Sequence, residues 1–400
     1  MNELRALVST IEPIDGGVPI MTRWIVHLLE ELGIRPLLAW YKPWSSQSTL
    51  SVPLHAVLSG RRPGMKLQTV FGGYAGHGLG AWLPELEFTH YLPRRSWREL
   101  VEASDIHIAV TGNPLCATPF SKLRVPFLAW VATPWDADRK DRVRKFSPIR
   151  QLLDRGFNTP ILKRFERQIL QNPHGKILAL SSYTANKLEA IAHRPMDGVM
   201  LMPVDRDVFQ PATERCRPWR VGFSGRYGDP RKNIRLLLNS VAILVGRGYP
   251  IEACLVGEQN VHQVQSLLKE LGILNRVECL PNVSQLELAG ILQELDTFII
   301  PSHQEGLCIS ALEAMACGVP VISTRCGGPE EYVLPGSTGA LVENDPELLA
   351  IAIMTICGDR VHRDKLARGA LNWVKANASQ ESSRMIFHSQ LKNLYPGMIS

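Results

Sequence analysis

No apolar run in these 400 residues is long enough to span a bilayer, because Arg, Lys, Pro or Gly interrupts every candidate. That excludes an integral membrane helix. Cysteine is sparse and scattered. The eight residues Cys116, Cys216, Cys254, Cys279, Cys308, Cys317, Cys326 and Cys357 are never closer than nine positions, so there is neither a CxxC redox pair nor a zinc-ligand spacing. Cys254, Cys279 and Cys317 sit in apolar segments and read as reduced core thiols. The opening segment begins with an acid and enters a strand, unlike a signal peptide. A cytoplasmic protein without structural metal is the expectation. Repeats and low-complexity segments are also missing. What is present is an ordinary globular composition, 45% apolar and 20% charged, at a length that suits two or three domains.

Charge is uneven. Residues 1–210 hold about 26 Lys and Arg against 19 Asp and Glu, so the first half carries the whole net charge of +6. The densest stretch, 139–150 (RKDRVRKFSPIR), has six basic residues and one acid. With Val143 and Phe146 interleaved, it has the make-up of a segment resting at the inner face of an anionic membrane. The plainer reading is a solvated helix face. No helix-turn-helix or RNA-recognition signature accompanies the charge, so nucleic acid is not expected.

Short apolar runs alternate with amphipathic stretches, the pattern of parallel sheets covered by helices. Strands are predicted at 4–9, 36–40, 106–111, 126–132 and 176–180, then at 220–224, 251–256, 277–280, 297–300, 319–323 and 339–342. Among the helices, the spacing predicts one over 139–154. Residues 60–90, rich in Gly, Pro and aromatics, read as an irregular loop region, and 203–219, with three prolines and no apolar period, as a linker. The expected architecture is α/β. Two tandem Rossmann-like, doubly wound domains, 1–203 and 204–377, are separated by a cleft, and a C-terminal helix in 378–400 returns to the first domain.

Three segments carry chemistry. In 301–320 (PSHQEGLCISALEAMACGVP), Glu305 lies in a loop and Glu313 eight residues on, in a helix that Gly318 and Pro320 end. A loop opening onto a helix N-terminus after a parallel strand suits an anionic ligand. The plainer reading of each glutamate is a solvated carboxylate, but Glu313 lies on a helix apolar nearly all round, where a carboxylate needs a partner. In 224–238 (SGRYGDPRKNIRLLL), Arg226 and Lys232 flank a strand-loop-helix mouth that suits a diphosphate, the alternative being surface cations. In 9–32, Gly16 and Gly17 follow the first strand, where glycine lets backbone approach phosphate or simply makes a loop. There is no GxGxxG and no acid at the expected distance, which argues against a nicotinamide cofactor.

On these residues the chain resembles glycosyltransferase family 4, retaining enzymes of the GT-B fold. SGRYGDPRKN, the VGE of 256–258, PSHQEGLCISALEAMACGVPVIST and GGPEEYVLPGSTGALVEND carry the resemblance in 219–345. STIEPIDGGV, LSSYTANKL and PVDRDVFQP carry it more loosely. The resemblance implies transfer of a hexose from a nucleotide diphosphate sugar, acting as co-substrate, to a glycan or lipid-linked saccharide, without cofactor or metal. Arg226 and Lys232 would hold the diphosphate, Glu305 the sugar hydroxyls, and Glu313 the ribose. The amides of Gly306, Leu307, Cys308 and Ile309 would cradle phosphate, with Gly16 and Gly17 closing from the first domain. The His that family members often carry near the reacting sugar is missing from 127–140, where Trp135 and Asp136 stand instead. Asp136 with Asp138, and Asp205 with Asp207, also mimic a metal-binding DxD by a pattern that recurs by chance. An epimerase or phosphorylase on the same plan, or a non-catalytic nucleotide-sugar binder, are the rival readings.

Overall fold

The computed structural model describes residues 3–13, 16–43, 45–137, 139, 143, 147–212, 219–257 and 262–399, with the side chains of 149, 262 and 263 excepted. The chain divides into two compact units, Met1–Met200 with Arg384–Ser400, and Leu201–Ser383.

Unit 1 is built on eight strands: β1 (Arg5–Ser9), β2 (Arg35–Tyr41), β3 (Met65–Val70), β4 (Tyr74–Leu79), β5 (Ile106–Thr111), β6 (Phe127–Val131), β7 (Gly175–Ala179) and β8 (Gly198–Val199). Their order is β3-β4-β2-β1-β5-β6-β7-β8, parallel except for the β3–β4 hairpin. The central strands are buried along both faces, so they are continuous apolar runs rather than alternating ones. The core includes Leu7, Ala109, Phe120, Phe127, Val131 and Ile177. Helix Gln380–Leu394 runs into this unit. There the Tyr395 hydroxyl accepts from the His107 amide (2.9 Å) and donates to the Pro126 carbonyl (2.8 Å).

Unit 2 holds a wholly parallel sheet of β9 (Arg220–Ser224), β10 (Glu252–Val256), β11 (Val277–Leu280), β12 (Thr297–Ile300), β13 (Val321–Thr324) and β14 (Gly339–Val342). Their order is β11-β10-β9-β12-β13-β14. The chain runs outward from β9 in one direction and then resumes at β12 in the other. The carboxyl ends of β9 and β12 therefore flank the point where loops diverge and a crevice opens. Leu237, Val241, Leu255, Ile299 and Ile322 pack around this sheet.

Three expectations from sequence are corrected. Residues 60–90 are not irregular, since β3 and β4 lie within them. Gly76 is there because a Cβ would meet the Trp40 ring of β2 at 2.6 Å, and Phe71 and Gly72 turn the hairpin with φ of 53° and 85°. Glycine used for close packing erased the strand signature. Part of the supposed linker is packed: Val204 and Phe209 are buried, and the Val204 amide donates to the Ala378 carbonyl (3.2 Å). Of the helix expected over 139–154, residues 140–142 and 144–146 lie outside the described residues; Pro148–Leu153 is helical and runs on past 154 through a π turn, Asp154–Asn158, into helix Thr159–Leu170. Arg139 is no surface cation. It is buried, ion-paired with Glu87 and Asp154, and lies 4.8 Å over the Trp135 ring. Among the described residues no helix is long and apolar enough to cross a membrane.

Candidate active site

At the end of β9 the chain turns through Gly225 (φ 149°), whose amide donates to the Val256 carbonyl at the end of β10 (2.9 Å). Gly257 beside it leaves no room for a side chain: a Cβ there would lie 2.6 Å from the Gly225 carbonyl oxygen. Arg226 follows, with 62% of its side chain exposed and, among the described residues, only a long ion pair to Asp229 (3.8 Å) on its guanidinium. Asp229 caps the short 3-10 turn Pro230–Lys232 by accepting from the Arg231 amide (3.0 Å), while the Arg231 guanidinium donates to its other oxygen (2.9 Å). Burial, the largest influence, opposes that charge, but the contacts to Arg231 hold the carboxyl below its usual range.

This turn delivers Lys232 to Glu305. Lys232 Nζ donates to Glu305 Oε1 at 2.7 Å, and Ser302 Oγ donates to the same oxygen at 2.6 Å. Both charges are largely withdrawn from water. Burial works against the ammonium, yet Glu305 keeps it above its ordinary value. Backbone fixes the carboxylate's position. The Glu305 amide donates to the Cys326 carbonyl (2.8 Å), and the Glu305 carbonyl accepts from the Gly328 amide (3.0 Å). The two loops touch so closely that a Cβ on Gly328 would lie 2.1 Å from the Gly306 carbonyl oxygen. Gly328→Ala is therefore expected to lower unit stability by about 1–3 kcal/mol, read as a lowered melting temperature, because backbone has no rotamer with which to yield. An unchanged melting temperature would show that the contact relaxes freely.

After Gly306, the Leu307 carbonyl accepts from the buried Tyr332 hydroxyl (2.6 Å), and Cys308 adopts φ 65° to start helix Ile309–Ala316. Ser310 Oγ donates to the Ser224 carbonyl (3.0 Å), tying the first helical turn to the end of β9. No side chain caps this helix; the Ala311 amide turns back to the Cys308 carbonyl (3.1 Å), and the amides of Ile309 and Ser310 head the helix where an anion can meet them. Gly318 (φ 71°) ends it, with its amide donating to the Met315 carbonyl. On the helix Glu313 is only 6% exposed and has no side-chain hydrogen bond or ion pair among the described residues. Burial pushes its carboxyl up to about 7.

The structure thus joins Lys232 to Glu305, sets Gly306, Leu307 and Cys308 in the same loop with Ile309 opening the helix, and places Glu313 one turn further along. Arg226 stands at the end of β9 without touching the pair. Sequence reasoning missed Ser302, Asp229 and Tyr332. Of these only Asp229 left a signal, an acid directly before a proline at a helix start.

Gly16, Gly17 and Asp136 belong to unit 1. Gly16 (φ 114°) precedes helix Gly17–Glu31, which follows β1. Asp136 lies half-buried beyond β6, its carbonyl accepting from the Arg139 amide (3.2 Å). The preceding amide, of Trp135, donates to buried Glu166 (2.7 Å). Burial, with Asp136 adding to it, pushes the Glu166 carboxyl up to about 7 against that hydrogen bond. Asp138 lies outside the described residues. Asp205 spends one carboxylate oxygen on the Asp207 amide (3.0 Å). No cluster of three metal-ligating side chains occurs among the described residues.

Residues 206–373 match the family Glycosyl transferases group 1. The D-inositol 3-phosphate glycosyltransferase of Corynebacterium urealyticum is 30% identical over 227 residues, 51% of this chain and 53% of its own. The chain spans about half the length of the curated relatives it matches. Among solved structures, sucrose-phosphate synthase from Thermosynechococcus elongatus superposes with a TM-score of 0.74 at 19% identity, covering 98% of this chain and 99% of that one. Anabaena Alr3699/HepE in complex with UDP and glucose gives 0.69 at 16%, covering 98% and 100%. These likenesses show the fold, two α/β units as in the GT-B glycosyltransferases.

Proposed function

We propose, for a chain whose residues 206–373 match the glycosyl transferases group 1 family, that it moves a hexose from a nucleotide diphosphate sugar to a hydroxyl of a glycan or lipid-linked saccharide. The reaction is proposed to retain anomeric configuration and to need no metal. The observation that carries this reading is the Lys232–Glu305 contact at the divergence of β9 and β12, beside an uncapped helix start.

A departing nucleoside diphosphate gains negative charge as its bond to the sugar breaks, so cations and amides already in place lower the barrier. Lys232, Arg226 and the amides of Gly306 to Ile309 are assigned that task, the part a divalent cation would otherwise play. Glu305 is assigned to the sugar hydroxyls through the oxygen that Lys232 and Ser302 leave free. Glu313 is assigned to the ribose hydroxyls, which would give its carboxylate the donors it lacks. Acceptor contacts are assigned to unit 1, where Asp136 occupies the loop after β6. Retention is supported by the resemblance of the Glu305–Glu313 spacing to retaining transferases. HepE was solved with UDP and glucose, which favours a uridine diphosphate donor here.

A panel of nucleoside diphosphates should raise the melting temperature for one base. Saturation at a hundredfold excess over Kd contributes about 2.7 kcal/mol. With the matching sugar donor, Glu305→Ala should abolish transfer yet keep the nucleotide shift. Arg226→Ala should cut kcat by roughly a hundred- to a thousandfold with an unchanged melting temperature, since its side chain is exposed. Full turnover in Glu305→Ala, conversion of donor without acceptor, or loss of activity to a chelator would each refute part of the assignment.

A further inference from the structure

Unit 1 carries two exposed apolar tracts. The first spans 54–67: Leu54, Val57, Leu58, Met65 and Leu67 all face water, Leu58 with 99% of its surface. Leu54–Ser59 is a 3-10 turn, and Met65 and Leu67 share one face of β3, the edge strand of the sheet. The second tract spans 152–157, where Leu152 (73% exposed), Leu153 and Phe157 stand on the helix and π turn that precede helix Thr159–Leu170. Single exposed apolar residues are ordinary, but clusters of this size mark a surface that something covers.

Among the described residues the exposed charges around them are mainly positive. Arg61, Arg62 and Lys66 are exposed in the first tract, as are Arg150 and Arg155 beside the second. The sequence has no Asp or Glu between Glu31 and Glu85. Of the acids that adjoin the tracts, Glu87 and Asp154 both hold Arg139, and Glu85, exposed, accepts from the Leu54 amide through Oε1 (2.9 Å). The same contacts link the tracts to each other, because 85–87 reaches Leu54 on one side and, through Arg139, Asp154 on the other.

We propose that the two tracts form one docking surface for an anionic lipid bilayer. The leucines, Met65 and Phe157 enter the acyl boundary, and the flanking arginines and Lys66 meet the headgroup phosphates. Charge complementarity selects this occupant over a second copy of the chain, since two such cationic faces repel each other. The inference does not depend on the sugar-transfer reading, because its readout is binding to lipid.

The test uses the full chain and sedimenting vesicles of phosphatidylcholine, alone or mixed with phosphatidylglycerol. The protein should sediment with the mixed vesicles only, and less as salt rises. Leu58→Ser with Leu152→Ser, and separately Arg61→Glu with Arg62→Glu, should each lower the partition coefficient by roughly tenfold or more. Both double variants should keep the wild-type melting temperature and the nucleoside-diphosphate shift, so failure here leaves the donor-site reading standing. Equal sedimentation with both vesicles, none with either, or variants that bind like the wild type would overturn the proposal. So would self-association that Leu58→Ser abolishes in a protein that ignores vesicles.

Discussion

Lys232→Met should stop sugar transfer and destabilise unit 2. Adding Glu305→Gln to the same chain should recover the stability without recovering the transfer. The Lys232 and Glu305 side chains are 15% and 10% exposed, and they meet at 2.7 Å. Taking either charge away alone leaves the other withdrawn from water without its counter-ion, a change that costs about 3–5 kcal/mol where such pairs are buried. After Lys232→Met the Glu305 carboxylate keeps only the Ser302 hydroxyl on Oε1. Glu305→Gln then removes the orphaned charge while preserving shape, and neutral replacements of buried pairs are often as stable as the original. Catalysis follows the opposite logic. Lys232 is assigned to the departing diphosphate, and the loss of one such stabilising donor lowers kcat by roughly a hundred- to a thousandfold. Urea unfolding of the two single variants and the double variant, with single-turnover transfer on each, separates the effects. A double variant no more stable than Lys232→Met would mean that the two side chains are not energetically coupled.

That contact marks the limit of what the sequence discloses. Lys232 and Glu305 are 73 positions apart. Each was legible separately, the lysine at a helix mouth and the glutamate in a loop after an apolar run. Their meeting depends on β9 lying beside β12 rather than beside β10 alone, a long-range pairing that no local pattern encodes. Ser302 shares this fate: its hydroxyl matters only because the loop folds it back onto Glu305. The unit 2 strands, by contrast, were plain to read. Strands buried on both faces are short unbroken apolar runs, and helix Ile309–Ala316 ends where Gly318 says it should. The β3–β4 hairpin was hidden because Gly76 and Gly78 stand where strand side chains would, the first of them required by the Trp40 ring of the neighbouring strand. Arg139 misled for the complementary reason. A run of basic residues looks like a solvated face, and its partners Glu87 and Asp154 lie 52 and 15 positions away.

Glu313→Gln should make the folded chain more stable at neutral and alkaline pH while weakening its hold on nucleotide. Burial raises the Glu313 carboxyl from 4.5 to about 7 in the folded state. Between those values the folded chain holds a proton that the unfolded chain has released. Stability therefore falls as pH rises through this window, and the full penalty applies above it. A shift of this size corresponds to about 3 kcal/mol. Glutamine carries no charge to desolvate, so the gain from Glu313→Gln should be absent near pH 4.5, grow through the window and level off above about pH 7. Nucleotide binding should show the reverse. If ribose hydroxyls donate to this carboxylate, they favour its ionised form, so wild-type affinity should weaken as pH falls below about 7. The Gln variant should bind more weakly at every pH and lose that dependence. Melting curves and nucleoside-diphosphate titrations across the same pH series give both readings at once. A variant that gains stability but binds nucleotide like the wild type would remove Glu313 from the donor site. One that gains no stability would mean that the buried carboxylate has found a partner in the folded chain.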